Sequence, residues 1–360
     1  MSCKKWLSIW VVAFIVMTAV AALFNYKVDS LGLVTDDGYL DKAAQDVASG
    51  KIVAGLKNFD ERIFAKKVIN RLDACPELVA IGSSRLMQLR KRTFSGDSGS
   101  SFHNYSVSGA SLEDYLALIS VHLNKCNELP KNIILGTDPW IFNINNDQDR
   151  FKSLLSDYLQ MLSRLDFQPN LEYSRPQYYK KLFSVEYTIQ NFLFLKNNYS
   201  NGFKGYRIVD NTEVDERLVE PDGSIQYPYG SRFPDSEVVQ RLAVSYTKGD
   251  VYSLRGFSEI SNAKLFEKFI AYLVTNGSNV TLYLPPYHPY VYGYLIDHEE
   301  YKIVGEVESF LKDISKRYKV NIVGSYDPHV LGVTKKDFFD GSHALDSVYN
   351  KMFNEMNVIE

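Results

Sequence analysis

LVAIGSSR, residues 78 to 85, joins an apolar run to Gly-Ser-Ser and then to an arginine. The uncharged run reads as a strand buried on both faces. SSRLMQLR, which starts at Ser83, reads as the first turns of a helix. The same grammar recurs in NIILG (residues 132 to 136), in NVTLYLPP from Asn279 and in VNIVGSY from Val320. Helical patterns lie between them: LEDYLALISVHLNKC from Leu112, NAKLFEKFIAYLVTNG ending at Gly277, and HEEYKIVGEVESFLKDISKRY with its long charged face. Strands alternating with helices at this spacing predict an α/β fold, a parallel sheet with helices on both faces. In such sheets, function gathers at the carboxyl ends of the strands.

That rule separates two serines. FSGDSGSSF, residues 94 to 102, contains a literal Gly-Asp-Ser around Ser98, the tripeptide that surrounds the nucleophile in two unrelated classes of hydrolase. A nucleophilic serine needs a rigid mount, an adjacent base and N–H groups aimed at the developing oxyanion. Ser98 has no strand before it and reads as a flexible loop near the sheet edge. Ser84 follows a strand directly, where helix-terminal amides point. The mount selects Ser84. Among histidines, DFFDGSHA (residues 337 to 344) follows the last strand and sets Asp340 three residues before His343, the spacing of a base and the group that fixes its tautomer.

The ends of the chain set the compartment. Lys4 and Lys5 precede LSIWVVAFIVMTAVAALF, residues 7 to 24, an uncharged run of 18 residues. That is near the minimum length for a membrane-spanning helix. Lysines ahead of it favour a cytoplasmic N-terminus and export of everything after Lys27. Ala19-Val20-Ala21 offers the alternative of a cleaved signal peptide, although the run is long for one. The remaining chain has interspersed charge, a formal net of −3 and no basic block, which argues against nucleic-acid binding. No spacing of Cys or His marks a metal, and none marks a cofactor. Residues 1–27 form the anchor, 28–70 a polar connector with a first helix at about 61 to 72, and 71–360 the α/β domain. Residues 141 to 255, aromatic-rich helices plus the hairpin-like VEPDGSIQY, read as a central insertion or lid.

These residues together resemble the SGNH (GDSL-type) hydrolase superfamily, whose four short blocks sit on a flavodoxin-like three-layer sheet. IGSSR stands at the nucleophile block with Ser84 at the serine position and Ser83 in place of the usual aspartate. NYSVSGAS, residues 104 to 111, matches the block that lends a glycine N–H, here Gly109, to the oxyanion hole. The third block is usually Gly-x-Asn-Asp; here GTDPW puts Asp138 at the asparagine position. That is a departure, because an ionised carboxylate cannot donate to an oxyanion and repels it. Asp340 and His343 match the fourth block. The resemblance covers about residues 76 to 140 and 278 to 345 and implies a Ser84–His343–Asp340 triad with Ser84 and Gly109 N–H groups as oxyanion donors. A trypsin-like protease, the other class with Gly-Asp-Ser, is all-β and does not fit this alternation.

More narrowly, the anchor, the Gly-Ser-Ser turn and the large insertion resemble exported proteins of envelope modification, such as alginate acetyltransferases and the teichoic-acid D-alanylation protein. These commonly work beside a membrane-bound O-acyltransferase. The resemblance implies an extracytoplasmic acyl esterase or O-acyltransferase acting on a cell-surface glycan; a non-catalytic polysaccharide-binding protein is the competing expectation. Within this frame Tyr287, His288 and Tyr290 of LPPYHPYVYGY, with Trp140 and Phe142, are candidate substrate contacts, set against packing roles. Arg85 is a candidate anion binder, set against an ordinary surface arginine. Flavodoxin-like order makes the strands before Ser84 and Thr137 neighbours, so Cys75 and Cys126, just upstream of each, are candidates for a disulfide at the end opposite the site; free thiols are the alternative.

Overall fold

Alternating side-chain directions let each central strand feed two separate cores. In the computed structural model, which describes residues 3–354 except 33, 35–37, 58, 95–100, 169–177, 200–201, 203–204 and 250, the strands form two sheets. In chain order they are β1 (Ile52–Ala54), β2 (Leu78–Ile81), β3 (Phe102–Asn104), β4 (Asn132–Gly136), β5 (Arg207–Val209), β6 (Leu218–Val219), β7 (Ile225–Gln226), β8 (Asn279–Leu284) and β9 (Asn321–Gly324). The main sheet has the order β3-β2-β4-β8-β9 and every pairing in it is parallel. Taken in chain order, its strands run 2-1-3-4-5. The chain therefore reverses direction across the sheet between β2 and β4, and the crevice outside their carboxyl ends is where ligands bind in such sheets.

Val79, Ile81, Ile133, Leu135, Val280 and Leu282 face one core, which helices Leu112–Cys126, Ala263–Thr275 and Ile303–Tyr318 cover. Leu78, Ala80, Ile134, Tyr283 and Val323 face the other, closed by Leu86, Leu89 and helix Asp346–Asn354. Each large apolar side chain so buried contributes roughly 1.5–3 kcal/mol. The chain is thus a mixed α/β protein with a parallel sheet flanked by helices.

Cys75 and Cys126 are disulfide-bonded, with Cα atoms 5.9 Å apart. The bond joins the approach to β2 with the last turn of Leu112–Cys126, at the strands' amino ends.

The connector is more structured than its polarity predicts. It holds helix Tyr39–Ala48 and strand β1, which pairs with β5 and β6 in the second sheet, an antiparallel β5-β1-β6-β7 arrangement. Connector and insertion therefore share a sheet and a core that contains Leu40, Val53, Phe64 and Val219. VEPDGSIQY does form a hairpin, β6 to β7. One local reading changes. SSRLMQLR makes successive turns rather than a regular helix, because the Asn104 side-chain amide donates to the Leu86 and Leu89 carbonyls, both at 2.9 Å, that helical bonds would use. LPPYHPYVYGY runs from the end of β8 into helix Pro289–Asp297, which starts with Pro at the first helical position.

The N-terminal helix, Cys3–Val28, has 26 residues, and its apolar window has a mean hydropathy of 2.5 with none of it buried. That helix is long and apolar enough to insert into a membrane or to serve as a signal sequence.

Candidate active site

The end of β2 delivers Ser84. Gly82 closes the strand against Gly136 of β4, where a Cβ would lie 3.3 Å from the Gly136 Cα and 3.0 Å from Leu86. Absence of both side chains lets the turn fold down onto the neighbouring strand. Leu86 and Met87 N–H groups donate to the Ser83 carbonyl at 2.9 and 3.2 Å, and Arg85 N–H donates to Ser83 Oγ at 3.1 Å. Ser83, Arg85 and Leu86 are buried while Ser84 is partly accessible. The turn thus presents one hydroxyl and hides its neighbours.

DFFDGSHA brings the partner groups from the other end of the chain. Asp340 Oδ1 accepts the N–H groups of Ser342 (2.8 Å) and His343 (2.7 Å), a local turn that Asp is suited to make. Asp340 Oδ2 lies 2.7 Å from His343 Nδ1, and His343 Nε2 lies 2.9 Å from Ser84 Oγ. Burial by itself would raise the Asp340 pKa, but His343 and the two N–H groups hold it below the ordinary carboxylate value. An ionised Asp340 can only accept, so the proton stands on Nδ1 and Nε2 offers its lone pair to Ser84. The Phe339 ring lies at 13° to the imidazole plane with centroids 5.5 Å apart, which limits its rotation. This arrangement can move a proton from serine to histidine while the carboxylate stabilises the imidazolium.

Gly109 reaches the same end along a different path. Tyr105 and Val107 N–H groups donate to the Ala80 and Gly82 carbonyls, so the chain after β3 continues beside β2 as far as the Ser84 turn. Gly109 has φ +51°, and a Cβ there would lie 2.2 Å from both Arg150 Nη2 and Tyr252 Oη. Both the left-handed conformation and the close side-chain ends favour glycine there. Among the described residues, no backbone carbonyl takes the Ser84 or Gly109 N–H. Beneath this loop the buried Arg62 forms two 2.8 Å bonds to Asp114 and donates to the Ser108 carbonyl at 3.2 Å.

Asp138 does not stand as a free carboxylate. Its Oδ1 lies 3.0 Å from Arg85 Nη1, with both side chains buried. Burial raises its pKa above the ordinary value even though Arg85 pulls the other way. Arg85 also donates to the Pro285 carbonyl (2.6 Å) and the Ser342 carbonyl (3.2 Å), and sits 4.0 Å from the Tyr287 ring centre. One guanidinium therefore joins the loops after β2, β4, β8 and β9. Arg85 is neither at the surface nor open to an anionic substrate.

The other aromatic candidates are also internal. Tyr287 lies under Arg85 in the core. Trp140 is buried and donates to the Ala110 carbonyl at 3.1 Å, and Phe142 packs on Phe266 and Phe310. His288 caps helix Pro289–Asp297, its Nδ1 accepting the Tyr290 N–H at 3.1 Å; burial lowers its pKa to about 4. Tyr290 alone of this group is exposed. Ser98 lies outside the described residues.

One close neighbour was not legible in the sequence. Tyr227 Oη lies 3.2 Å from His343 Nε2, and burial pushes the phenol up to about 12. It arrives on the hairpin, whose Ile225 N–H donates to the Met87 carbonyl of the Ser84 turn at 2.8 Å. The hairpin signal VEPDGSIQY marks the element, but nothing local links residue 227 to residue 343. No known family model matches this chain, and no curated protein sequence matches it.

Proposed function

We propose that this chain is a membrane-anchored serine acyl esterase or O-acyltransferase of the SGNH type, with its α/β domain outside the cytoplasm and a cell-surface glycan as substrate. The observation that carries this reading is the hydrogen-bonded series Ser84–His343–Asp340, at 2.9 and 2.7 Å, at the carboxyl ends of a parallel sheet. The order β3-β2-β4-β8-β9 supports a flavodoxin-like sheet, in which a ligand site is expected at the reversal point. Lys4 and Lys5 before the apolar helix support an exported domain, as does the Cys75–Cys126 disulfide.

In this reaction Ser84 Oγ attacks the acyl carbonyl as its proton passes to His343 Nε2. The Ser84 and Gly109 N–H groups hold the oxyanion. Collapse of the tetrahedral intermediate breaks the bond to the leaving alcohol, which takes the proton back from His343 and leaves an acyl-Ser84 ester. Water or a glycan hydroxyl, deprotonated by His343, then attacks that ester; collapse of the second intermediate breaks the acyl–Oγ bond and returns the proton from His343 to Ser84, and the choice of acceptor separates hydrolysis from transfer. Asp138 contributes no donor. Its charge is offset by Arg85, so it does not repel the oxyanion as a free carboxylate would.

A second reading, a non-catalytic envelope protein that binds polysaccharide or partners a membrane-bound O-acyltransferase, draws on that missing third donor. A fluorophosphonate probe separates the two. The enzyme reading expects labelling of wild type, none of Ser84→Ala, and strong loss in His343→Ala. Unlabelled wild-type protein would favour the binding reading, and labelling that survives Ser84→Ala but not Ser98→Ala would overturn the site.

A further inference from the structure

The end of the N-terminal helix is bonded into the folded domain. Asn25, the first residue after the uncharged run, is fully buried: its Nδ2 donates to the Leu182 carbonyl and to Thr188 Oγ1, both at 2.8 Å, and its Oδ1 accepts from Asn191 at 3.0 Å. Asn191 Oδ1 in turn accepts the Ser30 N–H at 2.9 Å, and Tyr187 Oη donates to Asp29 at 2.5 Å. These bonds fix helix Val185–Asn197, and the short 3₁₀ segment Tyr178–Phe183 before it, at the level where the apolar helix ends.

Helix Val185–Asn197 is unusual on its outward side. Tyr187 and Asn191 face the anchor and are buried. Val185, Ile189 and Phe192 follow at i, i+4 and i+7 along one exposed stripe, at 75, 54 and 61 % exposure. Leu193 and Phe183 widen the stripe, and both are also exposed. Glu186, Gln190 and Asn197 form a separate polar exposed strip. Exposed Lys180 and Lys181 precede the apolar stripe, exposed Lys196 follows Phe192 by one turn at its carboxyl end, and Lys27 is exposed at the end of the anchor. An apolar stripe with lysines at its ends, held beside the exit of an apolar helix, has the composition of an interfacial helix that lies in the headgroup region.

We propose that residues 178–197 form a foot that lies in the outer lipid interface, with Val185, Ile189 and Phe192 immersed and the lysines at the phosphate level. The occupant of this apolar face is thus a lipid surface. The inference rests on the anchor reading and adds that the domain is held at a fixed height and orientation over the bilayer instead of swinging on a tether.

The test uses the full chain in a Cys3→Ser background, where the remaining cysteines are disulfide-bonded. Nitroxide labels are placed on Ile189→Cys, Phe192→Cys and Gln190→Cys, and the protein is reconstituted into vesicles of phosphatidylcholine and phosphatidylglycerol. Collision with oxygen and with a water-soluble nickel chelate reads immersion. The foot expects the labels at 189 and 192 to be shielded from nickel and enriched for oxygen several-fold relative to 190. Equal nickel accessibility at all three positions, in protein that floats with the vesicles, overturns the foot and leaves the anchor standing. Failure to float overturns the anchor reading and the foot together. Nickel shielding accompanied by spin–spin broadening at 189 and 192 assigns the stripe to a second copy of the chain and also overturns the proposal.

Discussion

Arg85 Nη1 lies 3.0 Å from Asp138 Oδ1, and the two side chains are 2 % and 1 % exposed. A pair this deep is stable only while both partners remain, because either charge alone stays unsolvated. Asp138→Asn removes the carboxylate and leaves the Arg85 charge with carbonyl partners only. It is expected to lower unfolding stability by about 3–5 kcal/mol, read by urea titration. A double-mutant cycle with Arg85→Met should give a coupling of about 1–3 kcal/mol. Simple additivity would show that the pair does not hold the loops together.

Tyr227 Oη and Ser84 Oγ both approach His343 Nε2, at 3.2 and 2.9 Å. A single lone pair serves both hydroxyls, so the tyrosine competes with the serine. Removing a bond worth about 1 kcal/mol should shift the ratio of poised to unpoised serine by about fivefold. Tyr227→Phe is expected to speed fluorophosphonate labelling of Ser84 by a few-fold. A slower reaction would make the phenol a helper of the serine.

Three imidazoles, those of His103, His122 and His288, are lowered to about 4 by burial. Each is neutral in the folded protein at pH 5 and charged once unfolded, so each contributes stability that is lost as pH falls from about 6.5 to 4. Glu220 has the opposite sign. Burial raises it to about 7, with neighbouring Asp222 and Asp346 adding to the rise and Arg90 and Arg232 opposing it. Its contribution is present below the ordinary glutamate value and is lost as pH rises towards 7. The balance is an uptake of roughly two protons on unfolding near pH 5. Stability measured against pH should rise between pH 4 and 6.5, and His288→Gln should flatten the slope by roughly one proton. An unchanged slope in that variant would refute the assignment for His288.

Cys75 and Cys126 close a loop across a sequence separation of 51 residues. Loop entropy gives such a bond about 4 kcal/mol. Cys75→Ser with Cys126→Ser should lose stability of that order under non-reducing conditions. The bond lies at the amino ends of the strands, so Ser84 labelling below the unfolding transition should change by less than about twofold. A larger loss would couple the two ends of the sheet.

Much of this arrangement was legible in the chain. Apolar runs between periodic helical stretches identify β2, β4, β8 and β9, because a strand buried on both faces must be apolar throughout. The placement of a serine and an Asp-x-x-His after such strands is a local property of the sequence. The edge strand β3 was harder to read, being three residues long with His103 and Asn104 in it. Of the small sheet only the β6–β7 hairpin was read: β1 pairs with strands more than 150 residues away, and two- and three-residue strands carry no periodicity.

Positions alone did not give the roles of Arg85, Asp138 and Tyr287. Arginine, aspartate and tyrosine after strands suit a substrate pocket and a buried clamp equally well, since both use charge and hydrogen bonds. Burial decides between them, and burial is a property of how four loops pack at once. Tyr227 makes the same point from the other side: an ordinary hairpin residue stands beside His343 because Ile225 is bonded to Met87. The sequence by itself determined β2, β4, β8 and β9, the serine that follows β2 and the Asp-x-x-His that follows β9, because these follow from local patterning and short spacing. Only the tertiary structure decided which polar residues face the reacting hydroxyl and which stabilise the floor beneath it, because desolvation and pairing depend on neighbours from distant parts of the chain.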